Sequence, residues 1–392
     1  MKIGVVGAGV FGLAAAIELA TRGHQISVFD QGVVPYPNAT STDVSKHIRR
    51  TWYAGDNQTY VELVERSAPQ WRDWEKGSGQ SFYHQTGGLN VTTRFGPGEP
   101  LTESVEFLRD RGADITVMSA DEACGRFPQF RFADDEVCVH DRWSGYIESG
   151  RAVNVMADVA RSTGVHVHEN TPVKEIDEGN SLVTMHFNIG SVEVDLVVVA
   201  VGAWVGQLLP ELGEKVWVTR QEMLLIEPRQ PEMFAHGIFP VWGVDPDGEG
   251  WYGFPLLREG YVKIAKEPLG DTVDPNIDRT GTKEFAEQAL TFLRDRIPEM
   301  AHGTVVEGRS CLYTVTPDDH FMIDRVPGRE RVFVAGGGSG HGFKFGGSIG
   351  PVIADVVEDT HNPLGDRFKI GHRFDSTAQP RPEHSRGFAK PR

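Results

Sequence analysis

The chain has 392 residues, a formal net charge of -16 and 39% hydrophobic residues, which predicts a globular protein of two domains rather than a disordered chain. The acidic balance argues against a non-specific nucleic-acid binder, because neutralising phosphates requires a basic surface. Three widely spaced cysteines, Cys124, Cys138 and Cys311, fit neither a disulfide framework nor a zinc site, and we expect no bound metal.

Nothing in the sequence predicts a membrane span or a secretory leader. The apolar run VDLVVVAVGAW is shorter than the roughly 20 residues that cross a bilayer, and it is typical of a buried parallel strand. Glycines interrupt the N-terminal MKIGVVGAGVFG, so this stretch predicts a strand and turn instead of a signal peptide. We therefore expect a cytoplasmic protein.

The first thirty residues predict a strand, a glycine turn, a helix and a second strand that ends at Asp30. Gly7, Gly9 and Gly12 supply a G-x-G-x-x-G turn, in which the missing side chains let backbone approach a pyrophosphate at a helix N-terminus. Asp30 would accept a hydrogen bond from a ribose hydroxyl, and its charge disfavours the 2′-phosphate of NADP. A tight turn without a ligand is the alternative, but the complete pattern favours a dinucleotide site.

The segment STDVSKHIRRTWY follows this unit. It predicts the start of a helix with Thr42 or Asp43 as N-cap. Its charges indicate either a solvated helix face or a wall facing a cofactor and a substrate. The charged or titratable side chains of the segment are Asp43, Lys46, His47, Arg49 and Arg50.

Two later stretches repeat the alternation of helix and strand. SGRAVNVMADVARSTGVHVHENTPVKEI predicts a helix and a strand, and SLVTMHF, SVEVD and LVVVAVGAW predict further strands. Near the end, RVFVAGGGSGHGFKFGGSIGPVIADVVED predicts a strand, a glycine loop and a helix. Together with the first unit, these stretches predict one doubly wound, Rossmann-type α/β domain.

The intervening stretches are rich in aromatic residues and in strand-like alternation. FYHQTGGLNVT, WVTRQEMLLIEP and WYGFPLLREGYVKIAKEP predict a second domain of mostly antiparallel sheet, inserted twice into the first. The end of the chain lacks apolar periodicity, which predicts a mobile tail. The expected division is a dinucleotide-binding domain of residues 1–82, 148–212 and 318–372, a substrate and catalytic domain of residues 83–147 and 213–317, and a tail of residues 373–392.

Strand alternation sorts the side chains of YVKIAKEP onto two faces. Lysine on a strand face is most often solvated, so the residues alone favour a solvent-exposed Lys263. One face carries Lys263, Ala265 and Glu267, and the other carries Val262, Ile264 and Lys266.

The second glycine loop, AGGGSGHGFKFGGSIG, predicts another close approach of backbone to a flat or charged group. A single nicotinamide site does not require such a loop. CLYTVTPDDHF and SGHGFKF, with the N-terminal glycine turn, resemble the monomeric sarcosine oxidase and fructosyl-amine oxidase family of D-amino-acid-oxidase-like FAD-dependent oxidoreductases. The resemblance extends over nearly the whole chain and is weakest in the predicted sheet domain.

This resemblance implies FAD as the cofactor. It matches Cys311 to the cysteine that is linked through sulfur to the 8α-methyl group of the flavin, whereas a free cysteine is usually a small buried hydrophobe. The further residues that the resemblance places at FAD are Gly7, Gly9, Gly12, Asp30, Asp43, Lys46, His47, Val173, Gly202, Gly338, Gly340, Gly342, Phe343 and Lys344.

The resemblance also implies four catalytic positions. Lys263 matches the lysine that activates oxygen above the flavin, and Lys344 matches a lysine that holds the substrate carboxylate. Tyr252 and Tyr313 match active-site tyrosines. Ordinary core aromatics and a lysine at a helix start are the alternatives for the last three.

The charged segment departs from the sarcosine oxidase pattern. Arg50 matches an arginine close to the flavin, but Asp43, Lys46 and His47 replace a histidine, a threonine and an arginine. The spacing of Asp43 and Lys46 is more similar to that of fructosyl-amine and saccharopine-type oxidases, as is the acidic Glu267. These charges suit a polar, hydroxyl-rich or zwitterionic substrate, and a salt-linked scaffold without ligand contact is the alternative.

The predicted function is oxidation of the C–N bond of a secondary amine, an N-methyl, N-alkyl or N-fructosyl amino acid, with dioxygen as acceptor. Arg50 and Lys344 are expected to set the positive field of the site. A flavin dehydrogenase or tailoring oxidase with another acceptor or substrate, and a non-catalytic flavin-binding subunit, are the alternatives. We expect no nucleic-acid or membrane partner, and a monomer or small homo-oligomer.

Overall fold

A computed structural model describes residues 1–53, 58–245 and 249–374. The helices are α1 (Val10–Thr21), α2 (Gln58–Ser78), α3 (Pro100–Asp110), α4 (Ala120–Arg126), α5 (Ser149–Ser162), α6 (Val205–Leu208), α7 (Pro210–Gly213), α8 (Lys283–Arg296), α9 (Pro298–Ala301) and α10 (Ile349–Val357). In these three ranges, no helix combines the length and the apolar character needed to cross a membrane.

The strands follow in chain order. They are β1 (Lys2–Val6), β2 (Gln25–Phe29), β3 (Lys46–Ile48), β4 (Tyr83–His84), β5 (Gly88–Thr92), β6 (Ile115–Ser119), β7 (Val137–Asp141), β8 (Gly145–Ile147), β9 (His166–His168), β10 (Glu175–Glu178), β11 (Val183–His186), β12 (Ser191–Val194), β13 (Leu196–Val199), β14 (Trp217–Glu227), β15 (Val241–Asp245), β16 (Trp251–Phe254), β17 (Val262–Lys266), β18 (Thr304–Val315), β19 (Met322–Arg325) and β20 (Val332–Gly336).

A six-stranded sheet forms the first layer, in the order β19-β20-β13-β1-β2-β9. Its neighbours pair in parallel except β19, which is antiparallel to β20. Helices α1, α5 and α10 share a core with one face of this sheet. The strand–turn–helix–strand unit predicted at the N-terminus and the α/β fold class are confirmed.

The second face of this sheet is covered by a small sheet together with the short helices α6 and α7. Strands β10, β11 and β12 form their own antiparallel sheet, and Val183 and Met185 of β11 pack with Val197 and Val199 of β13. The stretches SLVTMHF and SVEVD are therefore strands, as predicted, but they pair with each other because short connections favour antiparallel hairpins.

An eight-stranded sheet forms the other large layer, in the order β18-β14-β17-β16-β15-β5-β7-β6. Its neighbours are antiparallel except β5 and β15, which are parallel. Helix α8 and part of α4 close a core on one face, around Trp242 and Ile264. The other face is turned toward the six-stranded sheet and contributes to the large cavity described below.

The helix predicted in the charged segment is wrong. Thr40–Thr42 form a single 3-10 turn, Asp43 is extended, and Lys46–Ile48 form β3. Strand β3 pairs with β8, which also pairs with β4, so tertiary pairing overrides the local helical pattern. This small sheet joins β3, from the expected dinucleotide-binding domain, to β4 and β8, from the expected substrate domain. The division into domains stays a prediction.

The predicted mobile tail begins too early. Residues Gly371–Phe374 form a 3-10 turn, the Arg373 side chain donates to the carboxylate of Asp318, and Phe374 is buried in a hydrophobic core. The remainder of the predicted tail, residues 375–392, lies outside the described residues.

Candidate active site

A cavity of about 390 Å³ runs between the two large sheets. One end is lined by the N-terminal glycine turn and Asp30. The other end is lined by Tyr252, Lys263 and Glu267 on the eight-stranded sheet, and the second glycine loop borders the space between them. One continuous space therefore connects the predicted dinucleotide site with the predicted catalytic residues.

Steric contacts explain the N-terminal glycines. Gly7 has a φ of +99°, and a Cβ atom there would lie 2.5 Å from the carbonyl oxygen of Ala200. A Cβ atom on Gly12 would lie 1.9 Å from the carbonyl oxygen of Gly7. Only glycine permits this approach of β1, β13 and α1. The turn leaves Gly9 and the N-terminus of α1 facing the cavity.

Asp30 is fixed at the end of β2. Its two carboxylate oxygens accept hydrogen bonds from the backbone N–H of Ala8, at 2.8 Å, and of Gly32, at 3.0 Å. Burial raises the pKa of Asp30, although these two hydrogen bonds oppose the rise. Val173 and Gly202, also expected at the cofactor, line the cavity as well.

The second glycine loop follows β20. Gly338, Gly342 and Phe343 line the cavity. Gly340 also lines it, has a φ of +77°, and a Cβ atom there would lie 2.3 Å from the ring of Tyr313. Glycine at this position lets the Tyr313 ring lie directly against the loop backbone.

Lys263 is fully buried, with 1% of its surface exposed. Its ammonium group donates to the carboxylate of Asp43 and to the carbonyl oxygen of Ser45, the latter at 3.0 Å. Burial lowers the pKa of Lys263, and the charge of Asp43 opposes this effect. The expectation of a solvent-exposed Lys263 is therefore wrong. Glu267, which was predicted on the same strand face, also lines the cavity.

Asp43 joins Lys263 to a second lysine. Its carboxylate also accepts from Nζ of Lys46 at 3.1 Å, and only 3% of Asp43 is exposed. Burial would raise the pKa of Asp43, but the two lysines lower it. The Asp43 carboxylate is therefore ionised and bound between two cations.

Tyr252 and Tyr313 line the cavity beside these charges. Burial and the charge of Glu267 raise the pKa of Tyr252, whereas its hydrogen bond with Tyr313 lowers it. Across β5, β15 and β16, Asn90, Gly243 and Tyr252 form one lateral row, and all three face the cavity. Both tyrosines are thus part of the cavity wall, and the raised pKa of Tyr252 keeps its hydroxyl protonated at neutral pH.

Lys344 lies on the opposite side of the cavity, in the second glycine loop. Only 4% of it is exposed, and Nζ donates to the carbonyl oxygen of His341 at 2.8 Å and to the hydroxyl of Tyr53 at 3.2 Å. The Tyr53 hydroxyl lies 3.0 Å from Nδ1 of His341. These contacts fix a buried cation at the cavity wall.

Arg50 does not line the cavity, contrary to the expected role in its positive field. Its guanidinium contacts the carboxylates of Asp141, at 3.0 Å, and Glu65, at 3.2 Å. Arg49 lines the cavity instead, with its guanidinium 4.9 Å from the centre of the Tyr53 ring. Both arginines follow the end of β3 at Ile48, and their guanidinium groups lie in different surroundings.

His47 lines the same wall as Arg49. Burial and the charges of Arg49 and Lys344 lower the pKa of His47 well below its usual value, so the imidazole is neutral. Among the residues that the structure describes, its Nε2 atom and the hydroxyl of Ser45 are buried without a hydrogen-bond partner, and both residues line the cavity. Such atoms are available to a bound group.

Sequence reasoning assigned no role to four residues that also line the cavity. Trp52 has a φ of +70°, and its indole N–H donates to Oδ1 of Asn90 at 2.8 Å. The sequence could not predict a positive φ at a tryptophan. The charged residues of the segment Ser41 to Tyr53 had indicated only that the segment could border a cofactor and a substrate. The four residues are Arg49, Trp52, Asn90 and His341.

Cys311 lies behind the cavity wall. Its side chain packs against Met223, Ala265 and Tyr252, and its Sγ atom is 3.8 Å from Nζ of Lys46. It lines a second, smaller cavity together with Asp43. Cys311 and Tyr313 are two residues apart on β18 and share a strand face. Tyr313 lines the main cavity, and the thiol borders it through Lys46 and Tyr252.

The residues present fit a flavin dinucleotide. The two glycine loops present backbone to the cavity, Asp30 is held for a hydroxyl pair, and the unpartnered Ser45 hydroxyl and His47 ring offer polar contacts. Across residues 1–53, 58–245 and 249–374, no group of three or more potential metal-binding side chains is found.

Comparisons with known proteins agree with this geometry. The family model described as DAO, FAD dependent oxidoreductase, matches residues 2–356. Monomeric sarcosine oxidase from Bacillus sp. (strain B-0618) is 29% identical over 364 residues, covering 90% of this chain and 91% of that protein. N-methyl-L-tryptophan oxidase from Yersinia pestis (strain Pestoides F) is 27% identical over 370 residues, covering 92% and 95%.

The fold is also similar to that of solved structures. Fructosamine oxidase from Aspergillus fumigatus (Amadoriase II) superposes with a TM-score of 0.82 at 23% identity, covering 96% of this chain and 91% of that one. At this identity the likeness concerns the fold, which supports the arrangement of one parallel sheet facing one large mixed sheet.

Proposed function

This chain belongs to the DAO family of FAD-dependent oxidoreductases, and we propose that it oxidises the C–N bond of a secondary amine, an N-methyl, N-alkyl or N-fructosyl amino acid. Two of its relatives are named for the oxidation of sarcosine and of N-methyl-L-tryptophan, which are N-methyl amino acids. The acceptor in our proposal is dioxygen.

One observation carries the proposal. A lysine ammonium group, that of Lys263, is buried in the cavity and paired with the carboxylate of Asp43. A buried charge is costly and is usually retained for a function or a specific pairing. At this position it suits the stabilisation of negative charge that develops when dioxygen is reduced.

FAD supplies the redox chemistry when bound, accepting a hydride from the carbon next to the substrate nitrogen and passing two electrons to dioxygen, which becomes hydrogen peroxide. The chain's residues bind and orient the amine. Lys344 holds the substrate carboxylate through its ammonium group. Tyr252 and Tyr313 offer hydroxyl groups beside it. The oxidised substrate is an imine, which water hydrolyses to an amine and an aldehyde or keto product.

Arg49 and Glu267 extend the anchor for the substrate. Both line the cavity, and their opposite charges suit a zwitterionic amino acid better than a simple amine. The neutral His47 adds a hydrogen-bonding atom without adding charge. We therefore propose a substrate with a carboxylate and a polar N-substituent.

We further propose that FAD is attached covalently through Cys311. The thiol lies on the same strand face as Tyr313 and next to Tyr252, both of which line the cavity. A cytoplasmic location and a monomeric or small homo-oligomeric state remain predictions.

The test is anaerobic mixing of the purified holoprotein with sarcosine, a fructosyl amino acid or pipecolate, followed by the visible absorption of the flavin. Bleaching by one of them is the expected result, and it identifies the class of N-substituent. If none bleaches the flavin, the proposed reaction on these amines is wrong. Under air, one hydrogen peroxide per turnover is expected, and a yield near zero would identify a dehydrogenase with another acceptor.

A further inference from the structure

Four side chains form a continuous chain at the cavity wall: Lys263, Asp43 and Cys311 are buried, and Lys46 is partly buried. The ammonium of Lys263 contacts the carboxylate of Asp43, which also accepts from Nζ of Lys46 at 3.1 Å. Nζ of Lys46 then lies 3.8 Å from Sγ of Cys311. Lys46 thus connects the carboxylate with the thiol, and the same side chain lines the cavity.

The charges of this chain do not balance when the thiol is neutral. Two ammonium groups face one carboxylate, leaving one unit of positive charge. Arg279 and Arg309 also line the small cavity that Cys311 borders, and Arg309 lies 3.9 Å from the carboxylate of Glu307. Net charge in a buried cluster is costly. A negative charge on Cys311 would balance the charges of the two lysines and Asp43.

We propose that Lys46 stabilises the thiolate of Cys311 and thereby promotes covalent attachment of the flavin. The thiolate, not the thiol, is the nucleophile, and a lysine nearby favours it. Asp43 positions Lys46 by binding its ammonium group. The proposal rests on the covalent FAD of the proposed function and assigns the preparation of the thiol to a residue distinct from Lys263.

Attachment of the flavin would form one carbon–sulfur bond and release two protons and one electron pair. Sulfur forms a bond to the 8α-methyl carbon, this carbon loses one proton, and the thiol has already lost its own proton. Bound FAD would take up the electron pair, and dioxygen, the proposed acceptor, would remove this pair together with the two released protons as hydrogen peroxide. The product thioether is neutral, so the cluster regains its net positive charge beside the flavin once attachment is complete.

The experiment compares full-length chains produced under riboflavin limitation and then incubated with FAD. The covalent fraction is measured over time as flavin that stays with acid-precipitated protein. The variants are Lys46→Met and Lys46→Arg, with Lys266→Met as the matched control. Lys266 lies on the strand of Lys263 but contacts the ring of Trp251, with Nζ 4.9 Å from its centre.

At neutral pH we expect attachment in Lys46→Met to be at least tenfold slower than in the original protein, and to recover near pH 10, where the thiol ionises without assistance. Lys46→Arg and Lys266→Met should react at close to the original rate. An unchanged rate and pH profile in Lys46→Met would overturn the proposal, and so would a loss in Lys46→Met that high pH does not restore.

Failure of the proposed covalent FAD gives a different result from failure of the role of Lys46. If the original protein releases all its flavin into acid, covalent attachment is wrong. The thiolate is then measured directly, by the pH dependence of Cys311 alkylation with iodoacetamide in the holoprotein. A midpoint that is more alkaline in Lys46→Met than in the original protein supports the role of Lys46, and equal midpoints reject it.

Discussion

The two ends of the cavity are built from different materials. The end lined by the N-terminal glycine turn and Asp30, where we propose that the nucleotide binds, is called the nucleotide end. Its walls are backbone, and Gly7 and Gly12 are required because a side chain at either position would meet a carbonyl oxygen. The end lined by Tyr252, Lys263 and Glu267, where we propose that the substrate binds, is called the substrate end. Its walls are charged and aromatic side chains, and the cost of burying the Lys263 ammonium group is reduced by its ion pair with Asp43. The first end depends on local sterics, the second on pairing between residues distant in sequence.

Substitutions at the two ends of the cavity should have different effects. A change at the nucleotide end should abolish cofactor binding as a whole, since backbone cannot move away from backbone. A change at the substrate end should leave the flavin bound and alter one step, because it replaces one side chain and leaves the backbone of the two glycine loops in place. The four predictions below test this separation, from the largest expected effect to the smallest.

Gly12→Ala should yield a protein without FAD. The new Cβ atom would meet the carbonyl oxygen of Gly7 at 1.9 Å, and the turn must shift away from the pyrophosphate position. The ratio of flavin to protein absorbance measures the loss. Gly125→Ala is the control, because a Cβ atom there meets nothing within 4 Å and alanine suits its helix. Normal flavin content in Gly12→Ala would contradict the steric argument.

Lys263→Met should slow reoxidation of the flavin by dioxygen about 100-fold or more, the usual cost of removing a preorganised electrostatic group. Flavin reduction by the substrate should change far less, since Lys344 and Arg49 still hold the carboxylate. Stopped-flow measurement of the two half-reactions separates these effects. Similar losses in both would remove Lys263 from the oxygen step.

Arg49→Gln and Arg50→Gln should differ although the residues are adjacent. Arg49→Gln should raise KM about tenfold for an anionic substrate with an unchanged melting temperature, because its guanidinium lines the cavity. Arg50→Gln should cost about 3 kcal/mol of stability by leaving the buried Asp141 without its ion pair. Steady-state kinetics and thermal unfolding test the contrast, and the opposite assignment of effects would restore Arg50 to the site.

Asp43→Asn should shift the pH dependence of reoxidation to lower pH. The carboxylate raises the pKa of Lys263 against the lowering effect of burial, so its removal lets the ammonium lose its proton at lower pH. The cation is needed for the oxygen step, and the rate therefore declines earlier as pH rises. Reoxidation rates between pH 6 and about 10 test this, and an unchanged midpoint would show that Asp43 does not control Lys263.

The sequence predicted the nucleotide end well, since a strand, glycines at fixed spacing, a helix and an acid are neighbours in the chain. Alternation along β17 also placed Lys263 and Glu267 on one face correctly. The segment from Ser41 to Tyr53 was not predictable in the same way. Its conformation depends on pairing of β3 with β8, about one hundred residues later. The resemblance had placed Arg50 close to the flavin, whereas Arg49 is the arginine that lines the cavity.

The burial of charge was equally hidden. Nothing local indicates that Asp43 and Lys263, 220 positions apart, meet in the interior, because a carboxylate and an amine are each typical of a solvated surface. Likewise, the position of Cys311 behind the cavity wall depends on the packing of Met223 and Ala265. Side-chain pairs across two sheets carry the chemistry, and only the folded structure defines them.

The lateral row of Asn90, Gly243 and Tyr252 has an evolutionary consequence. Gly243 is its one member without a side chain, and strand alternation points any replacement into the cavity. A single substitution there would narrow the cavity between Asn90 and Tyr252. One substitution at position 243 could therefore change which amines are accepted and leave the catalytic residues unchanged. Activity of position-243 variants on a panel of amines would test this.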